Sequence, residues 1–348
     1  MNIEELLIND FEDIWNYKLP WETLYEVNIL VTGASGLIGS FFILALLDRN
    51  MRYGSNIHII ALARNQERLQ KKFGDFPEVE ILAQDVCDTI LYGKKLDYIL
   101  HAACDVQPKT KAVNPVGTCK ATVEGTIQVC ELAKRTGAKV ILLSSIGIYG
   151  KSDGKTPFGK ETTSDIDLAD SDFAYNEGKR MAEMVCASYA KQYQLRYSVL
   201  RIGRVYGPTM NETDSMVLSS FLYEAAHGSD LYLKSDGTQR YSYVYVADVA
   251  AAIFILMFKG DCTYYNCGEG EKIEPFNFGQ IVEMIAEENQ VALRKMDMNE
   301  LDRNIYSNTV YCVMTSDALI AEGWKKNTDI LQGIKKTSRI LKQLTEER

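Results

Sequence analysis

Short apolar runs alternate with longer stretches whose apolar residues return every third or fourth position. The runs occupy 27–32, 58–63, 79–83, 98–102, 140–145 and 197–202, and the periodic stretches 37–48, 64–73, 121–136 and 175–192. Runs of that length without polar alternation fit strands buried on both faces, and the stretches between them fit crossover helices. The pattern predicts an α/β fold, a doubly wound parallel sheet with helices on both faces. Ahead of it, residues 1–24 read as a helical extension, with Ile3, Leu6, Leu7, Phe11, Ile14 and Trp15 at helical spacing and Pro20 ending it. After Gly207 the rhythm loosens, with helices near 215–227, 248–258, 277–288 and 328–343. That change predicts a smaller, interleaved C-terminal lobe. The sheet domain takes 25–206, with 240–262 returning to it, and the lobe takes 207–239 and 263–348. No internal repeat or Pro-rich linker interrupts the chain.

Composition narrows what such a fold can do. The chain has 348 residues, 46% hydrophobic and 24% charged, enough for one large unit with a real core plus a lobe. A formal net charge of -9 argues against a nucleic-acid surface while leaving room for a local basic pocket. The eight Cys form no CxxC pair and the three His are scattered, so neither a metal cage nor a redox pair is expected. Reduced thiols in the cytosol are the reading that follows. Residues 27–47 are apolar enough to imitate a membrane span, but three Gly, Thr32, Ser35 and Ser40 break it, and no membrane association is expected. Lys109, Lys111, Lys325 and Lys326 are read as solvated, and most of the 20 Tyr as packing residues with a polar tip.

The first strand runs directly into Gly33, Ala34, Ser35, Gly36, Leu37, Ile38 and Gly39 before a helix begins. A backbone that turns sharply and approaches a pyrophosphate has no room for side chains, and the helix N-terminus behind it offers N–H groups to the anion. Strand, glycine loop and helix in this order identify a dinucleotide site in a Rossmann domain. The second strand ends in Ala63 and Arg64, where an NAD site usually ends in an acid that bonds the ribose 2′-hydroxyl. A guanidinium suits a 2′-phosphate, so the expectation leans from NAD to NADP. Asp85 and Val86, after the third strand, are placed to meet the adenine edge.

The chemistry comes from Tyr175 and Lys179, whose i,i+4 spacing puts phenol and ammonium on one helix face. A free Tyr, with its pKa near 10, is a poor base at neutral pH. A neighbouring Lys and an oxidised nicotinamide both favour the phenolate, and lowering the pKa by about three units requires ~4 kcal/mol of differential stabilisation. Tyr175 then exchanges a proton with a substrate hydroxyl while the carbon exchanges hydride with the cofactor. The strand ending in Ser144 and Ser145 delivers two hydroxyls to the edge where such sheets bind ligands, and Ser145 is placed to bond the reacting oxygen. Gly178, inside the same helix, costs about 1 kcal/mol against Ala and permits a close approach by a neighbouring helix or the cofactor.

Taken in order, these residues resemble the extended short-chain dehydrogenase/reductase family, the nucleotide-sugar epimerases and dehydratases. The resemblance rests on Gly33, Gly36 and Gly39, on Ser144 and Ser145 with Tyr149 and Gly150, and on Tyr175 with Lys179. It continues through 201–208 and 243–249 and an ending at 319–324 with Gly333 and Ile334. It implies that Ser145, Tyr175 and Lys179 form the catalytic triad and that Lys179 also holds the nicotinamide ribose. It further implies that His101, Ala102 and Ala103 line the cofactor, and that a homodimer forms through helices near 121–135 and 175–192.

Several positions depart from the family pattern. Ile146 and Gly147 stand where the dehydratase branch carries its acidic pair, and the decarboxylase branch's usual Glu is absent too, although Glu177 to Arg180 resemble that branch. Arg204 stands in place of a substrate-contacting Asn, and Thr122 in place of another Asn. Tyr241 takes the place of an Arg that grips the nucleotide diphosphate, with Arg240 one position away. Ser144, Arg204, Arg240 and Tyr241 are therefore the candidate substrate residues, the two Arg as an alternative anion clamp. The leading expectation is an NAD(P)-dependent epimerase or ketoreductase acting on a nucleoside-diphosphate sugar. A sugar-nucleotide dehydratase or decarboxylase, a non-sugar ketone reductase and a catalytically silent nucleotide-binding protein are its rivals.

Overall fold

The computed structural model describes residues 3–104, 113–211, 216–270, 275–296 and 310–346. Lys109 and Lys111 lie outside the described residues. The strands are β1 (Asn28–Thr32), β2 (His58–Ala63), β3 (Val79–Ala83), β4 (Tyr98–His101), β5 (Lys139–Ser145), β6 (Tyr197–Ile202), β7 (Arg204–Tyr206), β8 (Leu231–Leu233), β9 (Arg240–Tyr241), β10 (Tyr243–Tyr245), β11 (Thr263–Cys267), β12 (Leu293–Lys295) and β13 (Tyr311–Cys312). The helices, in chain order, are α1 (Ile3–Leu6), α2 (Ile8–Trp15), α3 (Leu37–Tyr53), α4 (Gln66–Phe73), α5 (Pro115–Thr136), α6 (Ala174–Tyr193), α7 (Val217–Ala226), α8 (Val246–Phe258), α9 (Phe278–Asn289), α10 (Asp317–Ala321) and α11 (Ile330–Glu346).

Seven parallel strands form the main sheet in the order β3-β2-β1-β4-β5-β6-β11. The chain winds outward to β3 and then crosses to β4 on the other side of β1, so the crevice between β1 and β4 is the topological switch point. Strand alternation builds two cores. Ile29, Val31, Ile59, Ile141 and Leu143 face α2, α3 and α8, whereas Leu30, Ile60, Ile99, Val140 and Leu142 face α5 and α6. Helix α8, from Val246 to Met257, is buried on every side because it lies between sheet and neighbouring helices.

Two boundaries differ from the sequence reading. Thr263–Cys267 pairs with Tyr197–Ile202 as the seventh strand, so the main sheet continues past 262. A continuous register with β6 over five residue pairs holds it there, which apolar pattern alone does not reveal. At the N-terminus the helix stops at Trp15, well before Pro20, and Leu7, Phe11 and Ile14 are fully buried in the first core. Asp10 Oδ1 and Oδ2 accept from Lys336 Nζ of α11 and the Tyr245 hydroxyl, tying this segment to the lobe. In the lobe, α7, α9 and α11 pack together beside the β8–β12 pair. Lys326 is not simply solvated: its ammonium lies 3.0 Å from the buried Glu269 carboxylate. No helix of the described residues is long and apolar enough to cross a membrane.

Candidate active site

At the switch point, Gly33 adopts φ +67°, and a Cβ there would lie 2.8 Å from the Ala102 carbonyl carbon and oxygen. Only glycine lets β1 turn this close to the end of β4. Gly36 caps α3 without any side-chain hydrogen bond, so the N–H groups of the first turn, on Leu37, Ile38 and Gly39, keep their capacity for an anion. Ala102 and Ala103 form the facing wall, and the Ala103 N–H donates to Thr32 Oγ1 at 3.1 Å. Across the sheet edge Asp85 accepts the Cys87 N–H at 2.9 Å, closing a local turn, while buried Val86 packs against Gly125. Arg64 is exposed immediately after β2. These residues fit a dinucleotide: a narrow glycine turn, unmet helix donors, and a small-residue wall.

His101 lies behind that wall, fully enclosed. Thr126 Oγ1 donates to the Thr122 carbonyl at 2.7 Å, which leaves it accepting from His101 Nε2 at 3.1 Å. His101 Nδ1 must then accept from Thr32 Oγ1 at 2.8 Å. Each donor has one acceptor, and this assignment follows from the network. Burial, aided by the nearby Lys179 charge, holds the imidazole down to a pKa of about 3, so it stays neutral. Thr32, Thr126 and this relay were not singled out from sequence; Thr32 directly before Gly33 is the signal that pointed there.

On the other side of the crevice, α6 carries Tyr175 and Lys179 over the end of β5. The Tyr175 phenol bonds Ser145, whose Oγ also accepts the Gly147 N–H at 3.1 Å. Lys179 Nζ donates to the Leu143 carbonyl at 2.8 Å and lies 6.0 Å from the Tyr175 ring centre. The three expected catalytic residues therefore meet. One expectation is corrected. In the free chain the phenol is pushed above its ordinary range, by burial first and then by the neighbouring Cys104, and only the Ser145 bond opposes this. Lys179, 6.0 Å from the ring centre, does not offset burial here.

Ser144 does not join them. Neighbouring residues of a strand face opposite ways, and Ser144 Oγ donates to Glu183 at 2.6 Å on the buried side. Glu183 is clasped by Arg201 through Nη2 at 2.8 Å, Arg201 Nη1 reaches the Tyr149 hydroxyl at 3.1 Å, and Tyr149 reaches Asn266 at 2.7 Å. This buried network backs the catalytic strand. Glu183 follows Tyr175 and Lys179 at helical spacing, a signal that could have found it. Cys104 and Thr122 were also outside the expected site: Thr122 spends its hydroxyl hydrogen on the Thr118 carbonyl, so the Cys104 thiol donates to Thr122 Oγ1 at 3.1 Å. Gly178 faces Thr122, a Cβ there lying 3.4 Å from the Thr122 Cβ, which accounts for its place between α5 and α6.

The two expected clamp arginines part company. Arg204 lies over the Tyr241 ring, its guanidinium carbon 3.6 Å from the ring centre, and bonds the Tyr243 phenol. Arg240, one strand position from Tyr241 and so on the opposite face, donates to the Pro275 carbonyl and is exposed. The segment after β7 closes over the glycine loop, with Thr209 Oγ1 donating to the Leu37 carbonyl at 2.9 Å and Asn211 Nδ2 to the Ser35 carbonyl at 3.3 Å. Among the described residues, no group of three or more His, Cys, Asp or Glu side chains is placed to hold a metal ion.

Comparison with known proteins agrees with this geometry. Residues 29–268 match the model of the NAD dependent epimerase/dehydratase family. UDP-glucuronic acid decarboxylase 6 of Arabidopsis thaliana is 31% identical over 287 residues, 82% of this chain and 78% of that protein. UDP-glucuronic acid decarboxylase 1 of Xenopus tropicalis is 28% identical over 74% of this chain and 60% of that one. Among solved structures, UDP-glucose 4-epimerase of Thermotoga maritima, with UDP-glucose, shares the fold at a TM-score of 0.77 and 22% identity, over 92% of this chain and 100% of that one. The dTDP-glucose 4,6-dehydratase of Bacillus anthracis str. Ames, in complex with NAD, does so at 0.75 and 21%, over 92% and 98%. With its glycine turn at the switch point and its Tyr175–Ser145 pair above the sheet, the chain belongs to the NAD dependent epimerase/dehydratase family of extended short-chain dehydrogenases/reductases.

Proposed function

We propose that the chain oxidises a ring hydroxyl of a nucleoside-diphosphate hexuronate and releases the sugar's carboxyl carbon as CO2. The observation that carries the chemistry is the Tyr175 phenol bonded to Ser145 beside Lys179, at the sheet edge facing the glycine loop. The choice of sugar rests on relatives named as UDP-glucuronic acid decarboxylases. Their reaction moves ahead of the epimerase or ketoreductase expected from sequence.

The first turn of α3 would hold the pyrophosphate of a dinucleotide, Ala102 and Ala103 would line its ring side, and Lys179 would bond its ribose. A nicotinamide bound there would supply the acceptor for hydride from the sugar carbon and the donor for its return. Tyr175 takes the proton of the reacting hydroxyl as its C–H bond breaks, and a ketone forms. A carboxylate placed β to that ketone then loses CO2: the C–C bond breaks and its electron pair enters the enolate. A proton from solvent is added to carbon, and Tyr175 gives its own proton back as the ketone is reduced. Decarboxylation of a β-keto acid needs no acidic pair at the strand end. That matters because Ile146 is buried, and a Cβ on residue 147 would lie 3.3 Å from the Asn176 amide.

Arg64 keeps NADP in play, since it is exposed at the end of β2. All eight cysteines are free, which suits a reducing compartment such as the cytosol. The test is product mass after incubation with UDP-glucuronate or UDP-glucose and either NAD or NADP. UDP-glucuronate should lose one CO2 and UDP-glucose should be unchanged. Tyr175→Phe should lower kcat by roughly 10²- to 10⁴-fold. A product of unchanged mass with one inverted centre would return the epimerase reading, and loss of water the dehydratase.

A further inference from the structure

Two departures seen in the sequence, Arg at 204 and Tyr at 241, meet in one contact. The Arg204 guanidinium lies 3.6 Å over the centre of the Tyr241 ring. Tyr241 itself is buried, so the ring is a fixed platform. A second phenol, that of Tyr243, takes a hydrogen bond from the same guanidinium. The register β7–β10 sets this up, because Arg204 pairs with Tyr243 across two parallel strands. No carboxylate of the described residues forms an ion pair with Arg204. Stacking covers one face of the guanidinium, and no described residue other than Tyr243 is hydrogen-bonded to its edge. Tyr243 uses part of that edge, and the remaining N–H groups form a planar fork matched to two oxygens of one anion.

The fork also stands in the right place. Ser145 ends β5 directly opposite Ile202, the end of β6, and Arg204 follows after a single residue. The Arg204 charge acts on the Cys312 thiol, and Cys312 packs against the cluster that includes Ile146 and Tyr149 of the turn that leaves Ser145. A partly buried cation therefore lies two residues beyond the strand end that pairs with Ser145, held by two aromatic side chains. Arg240, turned to the Pro275 carbonyl, takes no part.

We infer that Arg204 is the substrate's anion receptor, a preorganised fork that binds two oxygens of the nucleotide sugar, from either its diphosphate or its sugar carboxylate. This rests on the nucleotide-sugar reading above and adds the residue that selects the ligand. Preorganisation is the physical point. A long side chain normally loses rotamer freedom on binding, and stacking on Tyr241 has already removed that cost.

The experiment measures binding rather than turnover, by calorimetric titration of the NAD-loaded protein in a Tyr175→Phe background. The probes are UDP, UDP-glucose and UDP-glucuronate, against Arg204, Arg204→Gln and Arg204→Lys. Losing a charged bidentate contact should weaken binding about 10- to 100-fold in Arg204→Gln. Arg204→Lys should recover only part of this, because an ammonium lacks the fork. An equal loss for all three probes identifies the diphosphate as the bound group, and a loss confined to UDP-glucuronate identifies the carboxylate. Either result supports the inference. Unchanged affinity for every probe, in variants that still bind NAD, overturns it and leaves the proposed function standing. A parent that binds none of the probes overturns both. If Arg204→Gln no longer binds NAD, the Lys variant decides alone: full affinity overturns the inference and partial loss supports it.

Discussion

At position 101 an imidazole is sealed between the Thr32 and Thr126 hydroxyls, and its neutrality has a measurable consequence. An exposed His takes up a proton below about pH 6.5, whereas here burial lowers the value to about 3. Between those two values the unfolded chain binds the proton and the folded chain does not. The stability that His101 contributes is therefore complete above the upper value and is lost as pH falls through this window. The slope is about 1.4 kcal/mol per pH unit. We expect His101→Gln to lose stability at neutral pH but to fall less steeply between about pH 6 and about pH 4. Denaturant melts across that range check this, and parallel profiles for parent and variant would contradict it. Ser144 and Ser145 carry the other residue-scale lesson. From sequence both belonged to the site, but strand alternation admits only Ser145 and sends Ser144 to Glu183.

Helix α6 organises one wall of the crevice. Tyr175, Lys179 and Glu183 run along one face at successive turns, meeting Ser145, the Leu143 carbonyl and Ser144 in that order. The opposite face leaves Met181 and Met184 largely exposed, at 51% and 61%. Two exposed large apolar residues one turn apart, on a helix packed against α5, fit the homodimer expected for these two helices. Met181→Asp with Met184→Asp should convert a dimer into a monomer in sedimentation equilibrium while leaving the far-ultraviolet circular dichroism unchanged. A parent that is already monomeric would remove this proposal. Elements of this kind were legible because their periodicity is strong: β2, β3 and β6 begin and end where the apolar runs do. The short pairs β7–β10, β8–β12 and β9–β13 were not legible, since strands of two or three residues are too brief to carry a period.

Across the whole molecule, winding order brings distant residues to one edge. Gly33 follows β1, Ala102 follows β4 and Ser145 ends β5, and these are consecutive strands across the sheet although far apart in the chain. The glycine loop and the Tyr175–Lys179 spacing made this edge readable in advance. The Arg204–Tyr241 stack was not readable, because it depends on the register between two short strands. Nor was the protonation of Tyr175. Sequence spacing suggested an acidified phenol, whereas in the folded chain burial raises it and only the Ser145 bond opposes this. On the proposed mechanism, a cationic nicotinamide against the phenol is what lowers it far enough to serve as a base. Ultraviolet difference titration of parent against Tyr175→Phe, with and without NAD⁺, isolates this one phenol among the 20. The account predicts that Tyr175 ionises above the ordinary Tyr range in the free protein and that saturating NAD⁺ moves the transition down towards neutrality. A transition at the same pH in both states would contradict it.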